Sequence, residues 1–180
     1  MKFTKDNLIC FWKATDEYGA FSNWYLSDFI YPIYTGEEFT FHSGEQLFMY
    51  EKAIMFNDIK IADKILNTEL KKVDDNAIVK QLGREVSNFD ENLWNKNSKD
   101  SIISGIFEKF IQNETLCKLL ISTGEKHIVE ASPLDCIWGC GLAESDDRIL
   151  DTDNWKGENR LGNMLMEIRE AINKLRLKAN

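Results

Sequence analysis

The spacing of apolar positions changes near residue 43, and this change separates a strand-rich beginning from a helical remainder. Before residue 43, short β-branched or aromatic runs alternate with turn formers such as Tyr18-Gly19 and Thr35-Gly36, a pattern typical of strands. The predicted strands run from Leu8 to Trp12, from Phe29 to Tyr31 and from Phe39 to Phe41.

After this point the apolar positions recur every three or four residues, which predicts amphipathic helices. Ser43-Gly44-Glu45-Gln46 is a capping-box pattern with Ser43 as the N-cap, and it begins a helix that continues to about Phe56. Further helices are predicted from Asp58 to Asn67, Asp74 to Val86, Asp90 to Gln112 and Leu116 to Ser122, and from Asn159 onward.

Alternation from Lys126 to Ala131 predicts one further strand. We therefore expect one α+β domain over residues 1–180. It should be mainly helical, with a small sheet built from the N-terminal region and the strand near Val129.

An irregular stretch from Ser132 to Glu158 joins this strand to the last helix. Loops of this length are uncommon in a compact domain unless they are functional or disordered. Trp138, Trp155 and three glycines argue against disorder, because tryptophan needs packing partners and glycine lets the backbone approach a ligand. We expect a loop that forms a site, with a plain surface excursion as the alternative.

Charge and composition narrow the class of protein. With 22 Lys and Arg against 30 Asp and Glu, the net charge of −8 excludes a chain that coats DNA non-specifically, although a local basic patch stays open. No apolar run approaches the roughly 18–20 residues of a membrane span. The first residues lack the apolar core of a signal peptide, so a reduced cytoplasmic protein is expected.

The cysteines and histidines predict neither a metal site nor a disulfide framework. Four cysteines are too few for a disulfide scaffold, and Cys136 and Cys140 alone are a poor match to the paired ligands of a zinc site. The expectation is therefore that the protein uses no metal and no cofactor.

Glu45 and Lys52 are the residues that first suggest chemistry. They lie seven positions apart, which is two turns along one helical face, with Phe48 between them. An acid and an amine on an apolar face would have pKa values tuned by burial and by each other. Alternatively, Glu45 occupies the first turn only because the helix dipole favours a carboxylate there.

Tryptophan is abundant at the ends of predicted elements and in loops, where it could stack on a planar ligand. Packing is the alternative reason for this placement, because the indole N–H of a buried tryptophan needs a partner. The tryptophans concerned are Trp24, Trp94, Trp138 and Trp155.

Short motifs follow one another in order over about 150 residues. They are Gly19-Ala20-Phe21-Ser22-Asn23-Trp24; Ser43-Gly44-Glu45-Gln46 with Tyr50-Glu51-Lys52-Ala53; Leu82-Gly83-Arg84 with Asn88-Phe89-Asp90 and Trp94; Lys109-Phe110-x-Gln112-Asn113 with Leu119-Leu120-x-x-Thr123-Gly124; Val129-Glu130-Ala131-Ser132-Pro133-x-Asp135-x-x-Trp138-Gly139-x-Gly141; and Trp155-x-Gly157-x-Asn159-x-Leu161-Gly162-x-x-Leu165-Met166-x-x-Arg169. Together they resemble the NADAR family (NAD- and ADP-ribose-associated, also called YbiA-like).

The resemblance implies an N-glycosidase that cleaves the bond between ribose C1′ and a nitrogen. The implied substrates are phosphorylated ribosylamino heterocycles of riboflavin synthesis, or ADP-ribose attached to the guanine amino group in nucleic acid. Removal of ADP-ribose would reverse ADP-ribosylation, and a toxin ADP-ribosyltransferase would then be a partner. No membrane partner is implied.

The resemblance also implies a set of site residues. Glu45, Lys52 and Asp135 are the expected catalytic residues. The expected substrate-binding residues are Asn23, Arg84, Trp94, Trp138, Gly139 and Asn159. We expect Asp135 and Trp138 to lie within about 10 Å of Glu45, because a typical ligand pocket is no wider.

These residue types suit cleavage of an N-glycosidic bond through an oxocarbenium-like state or a ring-opened imine. An acid must protonate the departing nitrogen or the ring oxygen, a carboxylate can stabilise the cation, and an aromatic ring can hold the base. The alternatives are a non-catalytic module that binds ADP-ribose-like ligands and a cytosolic interaction domain.

Overall fold

The computed structural model describes residues 1–179, which separate into two compact units. The continuous unit is Asn23–Glu114, and the two-segment unit combines Met1–Ser22 with Thr115–Asn180, of which Asn180 lies outside the described residues. The strands are β1 (Leu8–Phe11), β2 (Leu26–Pro32), β3 (Glu38–Ser43) and β4 (His127–Glu130). The helices are α1 (Gly44–Met55), α2 (Ile59–Leu66), α3 (Asn76–Arg84), α4 (Glu91–Asn97), α5 (Lys99–Ile111), α6 (Glu114–Ser122) and α7 (Arg160–Ala179).

Helix accounts for 52% of the chain, so the prediction of a mainly helical α+β fold is confirmed. None of the helices within residues 1–179 is long and apolar enough to cross a membrane.

The two-segment unit is organised around a parallel pair of strands, β1 and β4, in which Leu8 lies opposite His127 and Phe11 opposite Glu130. The prediction that the N-terminal region and the strand near Val129 share a sheet is confirmed for β1, whereas β2 and β3 form a separate sheet. Helix α7 packs against β4. One apolar cluster of this unit is made of Leu8, Val129, Ala131, Cys140, Leu142 and Ile149.

The continuous unit is built around α1, which packs against α2, α3 and α5. The antiparallel hairpin of β2 and β3 lies against α5 and brings Phe29 opposite Phe41. Its tip contains Gly36 at φ 85°, a left-handed conformation that glycine adopts without strain. The fully buried side chains of this unit include Phe29, Phe41, Leu47, Tyr50, Ile65, Ile102, Ile106 and Phe110.

Gly83 lets α3 lie close to α1. A Cβ atom on Gly83 would overlap the Met49 side chain of α1, so the glycine that weakens helix propensity by about 1 kcal/mol relative to alanine permits the contact between the helices. This close approach also places the Gly83 carbonyl at the surface of α1.

The single helix expected from Asp90 to Gln112 is wrong, because α4 and α5 are separate helices that meet at Ser98. Trp94 on α4 and Ile102 on α5 are both buried, and positions eight residues apart share one apolar face of an ideal helix. The spacing of apolar residues therefore does not reveal the interruption at Ser98.

Candidate active site

The first turn of α1 is held by reciprocal polar contacts that fix the direction of Glu45. The Ser43 hydroxyl accepts from the Gln46 N–H at 3.1 Å, which is the predicted cap. The Gln46 side chain accepts from the backbone N–H of His42 at 2.9 Å and donates to the Ile65 carbonyl at 3.1 Å. A helix start with these contacts has little freedom, so Glu45 is presented by a rigid element.

Glu45 is 6% exposed, and a cation lies beside it. Its Oε1 is 3.7 Å from Nζ of Lys80 on α3, whose side chain is 43% exposed. At this distance the ammonium group of Lys80 interacts electrostatically with a carboxylate that is largely removed from water. Glu45 is therefore suited to exchange a proton or to stabilise a nearby positive charge.

The segment that precedes β2 closes over the start of α1. The Asn23 carbonyl accepts from the Glu45 N–H at 2.8 Å, and a Cβ on Gly44 would be only 2.9 Å from Asn23 Oδ1. Nζ of Lys80 also lies 5.6 Å from the centre of the half-buried Trp24 ring. The structure thus brings the predicted residue Asn23 next to Glu45, together with an aromatic ring.

Lys52 lies two turns further along α1, about 10 Å from Glu45 along the helix axis. Its Nζ donates to the Gly83 carbonyl at 2.7 Å and lies 3.8 Å from the centre of the Phe89 ring. Burial lowers the pKa of Lys52, and the positive charge of Arg84 lowers it further. The expected effect of Glu45 on the pKa of Lys52 is not found, since only burial and Arg84 lower this pKa. The cation beside Glu45 is Lys80.

Arg84 and Trp94 differ in accessibility. Arg84 is exposed at the end of α3, where its guanidinium acts electrostatically on Lys52. Trp94 on α4 is 8% exposed, so little of its indole is open to a ligand in this structure.

In the two-segment unit, Asp135 organises the loop that carries Trp138. Its Oδ1 accepts from the backbone N–H groups of Ile137 and Trp138 at 2.8 Å each. This is an Asx-type turn, in which a side-chain oxygen takes the place of a backbone acceptor. Both Asp135 and Trp138 are half-buried.

Gly139 lies where two stretches of backbone meet. Its carbonyl accepts from the Asn159 N–H at 3.1 Å, and a Cβ on Gly139 would be 2.9 Å from the Asp135 carbonyl. A Cβ on Gly157 would overlap the Gly139 carbonyl. Close packing of the backbone therefore explains these glycines, and an approach of their N–H groups to phosphate stays a prediction.

Asn159 joins β4 to the beginning of α7. Its side chain accepts from the Glu130 N–H and donates to the Ile128 carbonyl, both at 2.9 Å, and the residue is fully buried. Its φ of 52° is left-handed, a conformation that asparagine tolerates better than most residues. These contacts fix the end of the long loop, and a contact of Asn159 with substrate stays a prediction.

The predicted site residues are divided between the two units. Asn23, Glu45, Lys52, Arg84 and Trp94 belong to the continuous unit, whereas Asp135, Trp138, Gly139 and Asn159 belong to the two-segment unit. That Asp135 and Trp138 share a pocket with Glu45 stays a prediction.

Lys80 and Phe89 were not among the predicted site residues. Lys80 precedes Arg84 by four positions, which places both cations on one face of α3. This spacing could have indicated Lys80 as a site residue. Within residues 1–179, no group of three or more His, Cys, Asp and Glu side chains is placed to hold a metal ion.

Comparison with known proteins decides the family. The NADAR domain model matches residues 10–173, a range that includes every predicted site residue. The chain belongs to the NADAR family. A relative named N-glycosidase R617, from Acanthamoeba polyphaga mimivirus, is 40% identical over 151 residues and covers 83% of this chain and 85% of its own.

The solved structure of Escherichia coli YbiA, determined by NMR, has the same fold. It superposes with a TM-score of 0.73 at 27% identity, covering 98% of this chain and 90% of YbiA. A maize protein named riboflavin biosynthesis protein PYRR, chloroplastic, is 29% identical over 170 residues, which are 92% of this chain but 25% of that protein.

Proposed function

We propose that this NADAR-family protein is an N-glycosidase that hydrolyses the bond between ribose C1′ and a nitrogen. The observation that carries the proposal is the carboxylate of Glu45, buried at a rigid helix start beside Lys80, with the amine of Lys52 two turns away. The relatives named N-glycosidase support this reaction class.

In the proposed reaction, Glu45 supplies the proton that the ribose ring oxygen needs when the C1′–O4′ bond breaks. The lone pair of the attached nitrogen then forms an iminium ion at C1′, and transfer of its N–H proton back to Glu45 leaves a neutral imine. General acid and base groups in such positions contribute about 10²–10⁴ in rate.

Lys52 is proposed to attack this imine in its neutral form. Its nitrogen adds to C1′, the heterocycle leaves with its nitrogen protonated, and a Schiff base joins C1′ to Lys52. Water then hydrolyses the Schiff base, which frees the ribose and restores the amine. Burial and the neighbouring Arg84 lower the pKa of Lys52, and a lower pKa makes the neutral amine more accessible near pH 7.

The proposed substrates are a phosphorylated ribosylamino heterocycle of the riboflavin pathway and ADP-ribose on the guanine amino group of nucleic acid. The riboflavin name of the maize relative supports the first. The second would make the protein an eraser of a modification that a toxin ADP-ribosyltransferase installs.

Direct assay of both substrates tests the activity. The purified protein is incubated with ADP-ribosyl-guanine DNA and, separately, with ribosylaminopyrimidine phosphates, and the released base is identified by mass spectrometry. Release from one substrate supports the proposal and selects the substrate. Tight binding with no release would instead establish the non-catalytic nucleotide-binding module.

Cyanoborohydride added during turnover tests the role of Lys52, because it reduces a Schiff base to a stable amine. We expect a ribosyl adduct on the peptide that contains Lys52 and an inactive Lys52→Arg variant, since arginine does not lose its proton in proteins. No adduct, together with partial activity of Lys52→Arg, would show that Lys52 binds phosphate or another acid.

A further inference from the structure

Phe89 lies in the segment between α3 and α4, where its ring contacts Lys52 of α1, and the proposed reaction does not use it. It is 42% exposed, although a phenylalanine that serves only the core is normally buried. Asn88, directly before it, has a left-handed φ of 55°, a conformation that asparagine tolerates better than most residues.

The ring of Phe89 contacts two side chains four residues apart, Lys52 in the last turn of α1 and Phe56 directly after it. Phe56 meets it in an edge-to-face arrangement with ring centres 5.2 Å apart. Nζ of Lys52 lies 3.8 Å from its centre. This distance is well within the roughly 6 Å range of cation–π attraction, in which an ammonium group is drawn to the negative face of a ring.

The ammonium group of Lys52 therefore has two neighbours that favour it, the Phe89 ring and the Gly83 carbonyl. Two other influences oppose its charge, namely burial and the guanidinium of Arg84. A flexible four-carbon side chain with such opposed influences needs a geometric restraint to stay in one place.

The acidic groups near this end of α1 have other partners. Asp58, at the start of α2, accepts from the N–H and the hydroxyl of Ser87 at 2.9 and 2.8 Å. Asp90 accepts from the Leu93 N–H at the start of α4, and Glu85 at the end of α3 is exposed. On α1 itself, Glu51 is hydrogen-bonded to Ser101 of α5.

We propose that Phe89 is a positioning residue for Lys52, whose ring holds the ammonium group beside the Gly83 carbonyl in the resting site. Its part in catalysis rests on the proposed N-glycosidase activity. Phe89 touches no reacting atom in this scheme. It fixes the place from which the amine reaches C1′ once it has lost its proton.

Fluorination of the ring at position 89 tests this placement without turnover. Replacing Phe89 by 4-fluoro-, 3,5-difluoro- and 3,4,5-trifluorophenylalanine weakens the negative face of the ring stepwise and hardly changes its size. The pKa of Lys52 is then followed by NMR on lysine labelled with ¹³C at Cε, the signal being assigned by its loss in Lys52→Arg.

We expect the pKa of Lys52 to fall stepwise, by about half a unit over the series, because the charged form loses its partner. The matched control is the same series at Phe39, whose ring contacts Phe41, and it should leave Lys52 unchanged. A pKa of Lys52 that stays constant or rises with fluorination at position 89 would overturn the proposal.

Kinetics test the functional part. We expect Phe89→Leu to lower kcat about tenfold with KM within twofold, and Phe89→Tyr to restore kcat. Wild-type kcat and pH profile in a folded Phe89→Leu variant would end the positioning role in catalysis. If the wild-type protein releases no base from either substrate, the proposed function fails, and the NMR series still decides whether Phe89 holds Lys52.

Discussion

At the scale of single residues, the protein keeps ionisable groups where burial changes their behaviour. Glu45 has Lys80 as a neighbour, and Lys52 has a carbonyl and a ring. Lys109 on α5 is 1% exposed, and burial lowers its pKa to about 7. Substitutions of Glu45 and Lys109 should therefore have different effects, the first on turnover and the second on stability.

Glu45→Gln should abolish turnover and leave the fold intact. The amide keeps the volume and polarity of the side chain but cannot exchange a proton, so we expect a loss of about 10²–10⁴ in kcat with little change in Tm. Glu51→Gln is the matched control, because Glu51 is a half-buried carboxylate of the same helix whose partner is Ser101 of α5. Activity of Glu45→Gln within threefold of wild type would remove Glu45 from the mechanism.

Lys109 should make stability depend on pH in the alkaline range. Its folded-state pKa of about 7 lies below the value of about 10.4 in the unfolded chain, so the unfolded chain binds more protons between these values. The free energy of unfolding contributed by Lys109 therefore rises from about pH 7 to about pH 10 and is lowest below pH 7.

Urea unfolding at several pH values measures this effect. We expect Lys109→Met to have a smaller increase of unfolding free energy with pH than wild type, whereas Lys99→Met, at an exposed position of the same helix, should follow wild type. Equal slopes for wild type and Lys109→Met would mean that Lys109 does not lose its proton in this range.

At the scale of elements, contacts between helices and within loops determine where the side chains lie. The beginning of α1 was predictable, because the cap between Ser43 and Gln46 is local in sequence. The position of Lys80 beside Glu45 was not predictable, because Lys80 reaches Glu45 only once α3 has packed on α1. Likewise, the break at Ser98 was not predictable, because the apolar spacing continues across it and neither Gly nor Pro marks it.

Gly83→Ala should disturb the contact between α3 and α1. Alanine favours helix formation by about 1 kcal/mol, but its methyl group would overlap Met49, and overpacking typically costs about 1–3 kcal/mol. We expect a net loss of stability and, because the Gly83 carbonyl holds Lys52, a lower kcat. The double variant Gly83→Ala/Met49→Ala should recover part of both; additive effects of the two substitutions would argue against this overlap.

Two substitutions of Asp135 distinguish a role in holding the loop from a role in the chemistry. Asp135→Asn retains an oxygen that can accept from Ile137 and Trp138, whereas Asp135→Ala loses both hydrogen bonds. We expect both variants to lose activity and only the alanine variant to lose stability, by about 1–3 kcal/mol. Full activity of a stable Asp135→Asn would leave Asp135 as a loop-building residue alone.

At the scale of the whole molecule, the sequence predicted the fold class because strand alternation and helical spacing are strong along most of this chain. That the N-terminal strand shares a sheet with the strand near Val129 was also predicted. Their parallel orientation and the separate sheet of β2 and β3 were not. The division into two compact units was not predicted, because it depends on which elements touch rather than on composition. One family model nevertheless spans residues 10–173 and therefore both units.

The pairing of β1 with β4 has a consequence for synthesis on the ribosome. Leu8–Phe11 is synthesised before the continuous unit, and its partner His127–Glu130 follows only after that entire unit. At about 5–20 residues per second this delay is on the order of ten seconds, long enough for the continuous unit to fold first. During that time Leu8, Ile9 and Phe11, all buried in the finished protein, are an unsatisfied strand edge that a chaperone can shield or another nascent chain can capture.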